Sequence, residues 1–187
     1  METVDKTIVL PNVGKCDHTY LYHIVKNYDN LADITVFLPG SCDMPHKFGK
    51  VKHMMRLIEE RNSAVFISDS TVDSLRDTFD QFQLDEWITS NEDNRNMNPE
   101  SQLQHANIRP FGKWFDHFFG DIQVKHVTYY GIFSVSKIDI LRKPIDFYRR
   151  LLEEVSGSSN PEAGHYMERS WAAVFHPLKT TSVYESR

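Results

Sequence analysis

The sequence predicts a single α/β domain with a mostly parallel central sheet and helices on both faces. Short β-branched runs alternate with amphipathic stretches through the first half of the chain, the pattern of βαβ units. The connections between those runs are long enough to hold a crossover helix, as parallel strands require. At 187 residues, 40% hydrophobic and 12% aromatic, the chain supplies one sizeable core rather than two.

Thr7 to Leu10 reads as the first strand, stopped by Pro11. A turn-rich loop, Pro11 to Asp17, leads to a helix over His18 to Asn27, with Leu21, Ile24, Val25 and Tyr28 on one face. Ile34 to Leu38 is a second strand, closed by Pro39-Gly40. Lys47 to Arg61 carries Val51, Met54, Met55 and Ile58 at helical spacing. Ala64 to Ile67 is the third strand, expected to lie parallel to the first two, and Asp69 to Phe82 a third helix with Ser68 or Asp69 as its N-cap.

Asn91 to Pro110 is polar and without apolar periodicity, and is expected to be a surface loop, a lid among its roles. Phe111 to Phe119 is a short aromatic helix, Val127 to Val135 a strand, and Pro144 to Glu154 a helix with Pro in its first turn. After the loop Ser156 to Asn160, Pro161 opens a last helix that runs to about Phe175. Thr180 to Arg187 reads as a loose tail.

Charge and cysteine content narrow the function classes. With 21 Lys and Arg against 26 Asp and Glu, there is no basic surplus to neutralise a run of phosphates, so nucleic acid is not the expected partner. Two cysteines, Cys16 and Cys42, make neither a disulfide framework nor a zinc site. Met1 to Lys6 is acidic and unlike a signal peptide, and no apolar run reaches the length of a membrane helix. A cytoplasmic protein is the expectation.

Four stretches hold candidate chemistry. Asn12-Val13-Gly14-Lys15 follows the first strand, where a Gly-containing turn and a helix N-terminus can approach an anion and Lys15 can face a phosphate; a plain strand-to-helix turn explains the same residues. Asp43 and His46, after the second strand, would line the same crevice if the strands are parallel. Asp69 ends the third strand, as a helix cap or as one of a carboxylate pair with Asp73. Finally, His165, Glu168 and Trp171 are three apart, so that an imidazole, a carboxylate and an indole share one helix face. A carboxylate beside aromatics suits a general base, and the same stretch also reads as an amphipathic helix with Trp171 in the core. Trp114 and its neighbours Phe115, Phe118 and Phe119 read as core, while Trp87 or Trp114 at a cleft would stack on a sugar ring.

Asn12 to Lys15 together with Thr19-Tyr20-Leu21, His23-Ile24-Val25, Tyr28 to Leu31, Thr35 to Leu38, Phe133 to Ser136 and Glu168-Arg169-Ser170-Trp171 resembles a family of fungal and large-DNA-virus proteins described as a domain of unknown function. That family is similar in layout to nucleotide-diphospho-sugar transferases of the GT-A type. The resemblance implies a donor site at Asn12, Val13, Gly14 and Lys15 and the following strand ends, with Asp43, His46, Asp69 and Arg169 beside it and Glu168 as catalytic base. It implies a nucleotide-sugar donor and a glycan or other hydroxyl acceptor. Manganese or magnesium belongs to the metal-dependent branch, but this chain has no Asp-x-Asp motif. In an inverting scheme Glu168 takes the acceptor proton while Lys15, Lys47 or Arg169 stabilises the departing diphosphate. Two other classes remain open: a binding module without turnover, and a hydrolase with two carboxylates such as Asp69 and Glu168.

Overall fold

The computed structural model describes residues 7–87 and 102–185. Helix α1 (Lys15–Lys26) starts from Gly14, whose φ of 57° lies in the left-handed region. A Cβ there would sit 2.4 Å from the Val155 carbonyl oxygen, so the close approach of the two segments needs glycine. α1 buries Tyr20, Leu21 and Ile24. Strand β1 (Ile34–Phe37) follows, then α2 (Pro45–Arg61), with Pro45 in the first turn, where its missing N–H costs nothing. α2 buries Val51, Met54 and Leu57, while Met55 faces solvent. The apolar face is therefore rotated from the expected one, with Leu57 in the place assigned to Met55.

Next come β2 (Val65–Ser68), β3 (Ser70–Thr71) and the single turn α3 (Leu75–Thr78). Ser74 caps α3 by accepting the Asp77 N–H at 3.2 Å, so neither Ser68 nor Asp69 is the cap. The expected helix over 69–82 is thus largely replaced by a short strand and this turn. α4 (Phe111–Phe119) has the predicted bounds. The single strand expected over 127–135 is two, β4 (His126–Val127) and β5 (Phe133–Ser136), because Tyr130 and Gly131 at φ 66° and 63° turn the chain between them. α5 (Lys137–Ile140), α6 (Ile145–Glu154), α7 (Glu162–Val174) and β6 (Ser182–Glu185) complete the order.

In place of one mostly parallel central sheet there are, among the described residues, three two-stranded sheets, and β1 and β2 do not pair with each other. β1 pairs antiparallel with β5, β3 antiparallel with β4, and β2 parallel with β6. Residues 7–10 join no strand, and Val9 is 93% exposed; a β-branched run supplies propensity, but a partner decides whether it pairs. Of residues 91–110, those from 91 to 101 lie outside the described residues. The remainder is pinned down: Gln104 exchanges backbone hydrogen bonds with Asn160 and Glu162. The supposed tail contains β6, so it is a structural strand as far as Glu185.

Two side chains hold this arrangement together. The Ser134 hydroxyl donates to the Val65 carbonyl at 2.8 Å and accepts the Val65 N–H at 2.7 Å, stitching β5 to β2 without a backbone ladder. The buried Asp139 carboxylate accepts N–H bonds from Lys179, Thr180 and Thr181, which aims the chain into β6. Burial acts to raise the Asp139 pKa, but these amides outweigh it and hold the group below the usual carboxylate range.

At the centre lies α7, buried at most of its positions. Trp171 sits 5.0 Å from the Phe133 ring and 5.8 Å from that of Tyr20, tying α7 to β5 and α1. Trp114 is wholly buried against Phe111, Phe118 and Tyr166, so it is core and not a sugar platform. A second apolar cluster, Val51, Met54, Leu57, Val65, Ile67 and Ile132, lies under α2. Among the described residues no helix is long and apolar enough to cross a membrane.

Candidate functional site

Three backbone segments meet around Glu168: the start of α1, the loop Thr128–Gly131, and the middle of α7. The first two are strained. Among the described residues, the non-glycine residues at positive φ are Lys15 (53°), Asn62 (48°) and Tyr130 (66°). Asn62 is the C-cap of α2, where asparagine tolerates the left-handed region. Lys15 and Tyr130 have no such role, and both stand beside Glu168. Tyr130 donates its backbone N–H to Glu168 Oε1 at 3.1 Å, and the Lys15 ammonium feels the Glu168 charge.

Lys15 Nζ lies 3.8 Å from the centre of the Trp87 ring, a cation–π contact. Trp87 also meets the His165 ring, 4.8 Å between centroids. Lys15 retains contact with solvent, but the protein packed around its ammonium lowers its pKa, against the opposing pull of Asp17 and Glu168. Arg169 is stacked among Phe82, Phe79 and Tyr129 at 4.1, 5.5 and 5.7 Å and donates to the His165 carbonyl at 2.8 Å. Its Nη1 is 4.0 Å from Glu168 Oε2, a loose contact that leaves the carboxylate half-buried and not locked to the arginine.

The second carboxyl group here is Asp17, 5% exposed, whose Oδ1 accepts the Trp171 indole N–H at 2.9 Å. Burial first, and then the Glu168 charge, push Asp17 up to about 8, so it carries a proton at neutral pH. Cys16 is no nucleophile: burial and the neighbouring Asp17 and Glu168 charges push its thiol far up, where little thiolate exists.

The expected residues are placed as follows. Lys15, Glu168 and Arg169 come together. Gly14 is beneath them, with its N–H on the Ser158 carbonyl at 2.8 Å, while Asn12 is exposed and Val13 half-buried in the preceding loop. His46 reaches the site's edge, 5.5 Å from the Tyr130 ring, and Lys47 Nζ is 5.6 Å from the same ring. Asp43 is exposed in the turn before α2. Asp69 supports the site instead of lining it. Its Oδ2 accepts Lys50 Nζ at 2.6 Å and the Tyr129 N–H at 2.6 Å, which fixes the loop that presents Tyr130 to Glu168. Lys50 is 6% exposed in its side chain, and burial acts to lower its pKa.

Asp17, Tyr130 and Lys50 were missed. An Asp in a helix's first turn reads as an ordinary helix-dipole partner, and nothing in the sequence announces a backbone donor at 130. Among the described residues no group of three or more His, Cys, Asp or Glu side chains is placed to hold a metal ion. Glu168 and Asp17 each offer a carboxyl group with one oxygen taken by an N–H donor, and two such groups without a third ligand do not make a site for manganese or magnesium.

A family model described as "Protein of unknown function (DUF3431)" matches residues 2–186. No curated protein and no solved structure matches the chain.

Proposed function

The chain belongs to the DUF3431 family, whose model carries no function, and we propose from the site itself that the cluster around Glu168 is the catalytic centre of a glycosyl transfer from a nucleotide-sugar donor to an acceptor hydroxyl. The observation that supports it is a strained Tyr130 whose backbone N–H is held on the Glu168 carboxylate, with a second strained non-glycine residue, Lys15, near enough for its ammonium to feel the same charge. Strain of this kind persists where the surroundings over-determine it, and it gathers at sites that must hold a geometry.

In this reading Glu168 removes the proton from the acceptor hydroxyl as that oxygen bonds to the sugar's anomeric carbon. The bond from that carbon to the diphosphate breaks, and the leaving group takes the electron pair. Lys15 and Arg169, both carried on the same rim, receive the developing negative charge. Asp17 stays protonated beneath them, so the site does not place two full negative charges side by side. Trp87, half-buried with a face toward Lys15, supplies an aromatic surface for the donor. The reading keeps the reaction of GT-A enzymes but takes no support from their parallel sheet.

Glu168→Gln tests it. Glutamine retains an acceptor for the Tyr130 N–H and removes only the base, so transfer should fall roughly 100- to 10,000-fold. Donor binding and the melting midpoint should stay as in the wild type. Turnover that survives the change, or a variant that unfolds, would assign Glu168 a structural role. Wild-type protein that binds nucleotide sugars but never releases nucleoside diphosphate would be a binding module.

A further inference from the structure

His165 is one turn before Arg169 on α7, its ring against that of Trp87, which also carries the Lys15 ammonium, and it takes no part in proton removal by Glu168. Among the described residues its Nε2 is buried and without a hydrogen-bond partner. So is Arg169 Nε, one residue from Glu168. Buried polar atoms of this kind are uncommon, because each forfeits the hydrogen bonds it had in water. Arg169 Nη1 donates to the backbone carbonyl of His165 one turn earlier, and the Lys15 ammonium shares the Trp87 ring with the His165 imidazole, so two buried nitrogens lie near a cation and can be satisfied by the oxygens of an anion.

We infer that His165 completes an anion site with Lys15 and Arg169, taking up a proton from solvent and donating it from Nε2 to a phosphate oxygen of a diphosphate-bearing ligand. This rests on the reading of Lys15 and Arg169 as the groups that meet the diphosphate. The charged groups acting on the imidazole are Lys15 from α1 and Arg169 and Glu162 from its own helix. Without ligand, burial first and then the two cations hold its pKa down at about 4, with Glu162 opposing weakly, so the ring is neutral. A dianion between the cations reverses the sign of the local field. The ring then gains its proton as the anion binds, and by reciprocity the anion binds more tightly as pH falls. The same proton lies where a departing diphosphate oxygen can receive it, which gives His165 a use in the transfer itself.

The experiment is an imidazole 15N NMR titration of the wild type in sulfate, a dianion that does not itself titrate near neutrality, against chloride at equal ionic strength. His165 should gain roughly tenfold to a thousandfold in proton affinity in sulfate. His165→Gln, which keeps a donor but cannot take up a proton, should bind sulfate with an affinity that no longer rises between about pH 7 and about pH 5. If the Lys15 and Arg169 side-chain signals move with sulfate while the His165 midpoint does not, the role of His165 is overturned and the anion site stands. If none of the three responds to sulfate or to pyrophosphate, the anion site falls as well.

Discussion

Glu162→Ala should lower stability by on the order of 3 kcal/mol, read as a fall of roughly 6–12 °C in the melting midpoint. Glu162 is fully buried at the start of α7, and its carboxylate is saturated. Oε1 accepts the Leu84 N–H at 2.8 Å and the Tyr166 hydroxyl at 2.8 Å, while Oε2 accepts the Ala106 N–H at 3.0 Å and pairs with Arg109 Nε at 2.8 Å. Leu84 and Ala106 lie in the two stretches of chain on either side of residues 88–101, so one side chain fixes both to the helix that carries Glu168. Alanine would strand two amides and a phenol away from any acceptor, and each such loss costs about 1–3 kcal/mol. Burial acts to raise the Glu162 pKa, but these donors and Arg109 outweigh it, and the net shift is downward. The contribution is therefore present above the ordinary glutamate range and lost as pH falls through the lower folded value. Glu162→Gln, which keeps one acceptor, should fall between wild type and alanine. A melting midpoint for Glu162→Ala within about 2 °C of wild type would refute the clamp.

Asp17→Asn should flatten the pH dependence of stability between about pH 4 and about pH 8. In the wild type Asp17 keeps its proton up to about 8, whereas the unfolded chain loses it near the ordinary value of 3.8. The folded protein binds the extra proton throughout that window, so the contribution is fully present below the unfolded pKa and is lost as pH rises through the folded one. The difference is a few kcal/mol at most, on the scale of about 1.4 kcal/mol per tenfold change in proton affinity. Asparagine preserves an acceptor for the Trp171 indole and cannot ionise. From about pH 5 to about pH 8 the melting midpoint should fall for wild type relative to Asp17→Asn. Parallel declines would mean that Asp17 is ionised throughout and is held by a cation instead.

What the sequence disclosed followed from local physics. α4 was legible to the residue because Phe111, Trp114, Phe115 and Phe118 make an unambiguous helical stripe after Pro110. β1, α2, β2, α6 and α7 were found with shifted ends, since periodicity marks a face better than it marks a cap. The pairing was not legible. β1 takes its partner β5 from far along the chain, and no property of Ile34–Phe37 says that the neighbour runs the other way. For the same reason β6 passed for a tail: Ser-Val-Tyr-Glu is a plausible coil until Asp139 gathers the amides of 179–181. Lys15, Glu168 and Arg169, named from a strand-end turn and a family resemblance, lie near one another in the fold, whereas Asp69, named beside them, braces the loop at Tyr129. Asp17 escaped because its unusual state comes from burial against α7, which only the tertiary structure creates.

The parallel pairing of β2 with β6 also has a temporal side. Synthesis proceeds from the N-terminus, so Val65–Ser68 leaves the ribosome long before the strand that will cover its edge exists. For that interval the chain carries an unprotected Val-Phe-Ile-Ser edge, every residue of which is buried in the finished protein. An uncharged β-branched and aromatic edge of that kind is a template for other nascent chains. Asp139 is made well before Lys179, Thr180 and Thr181, so its carboxylate is already waiting to dock the arriving segment beside β2. The same few hydrogen bonds that finish the fold thus help to close an edge that the growing chain leaves open.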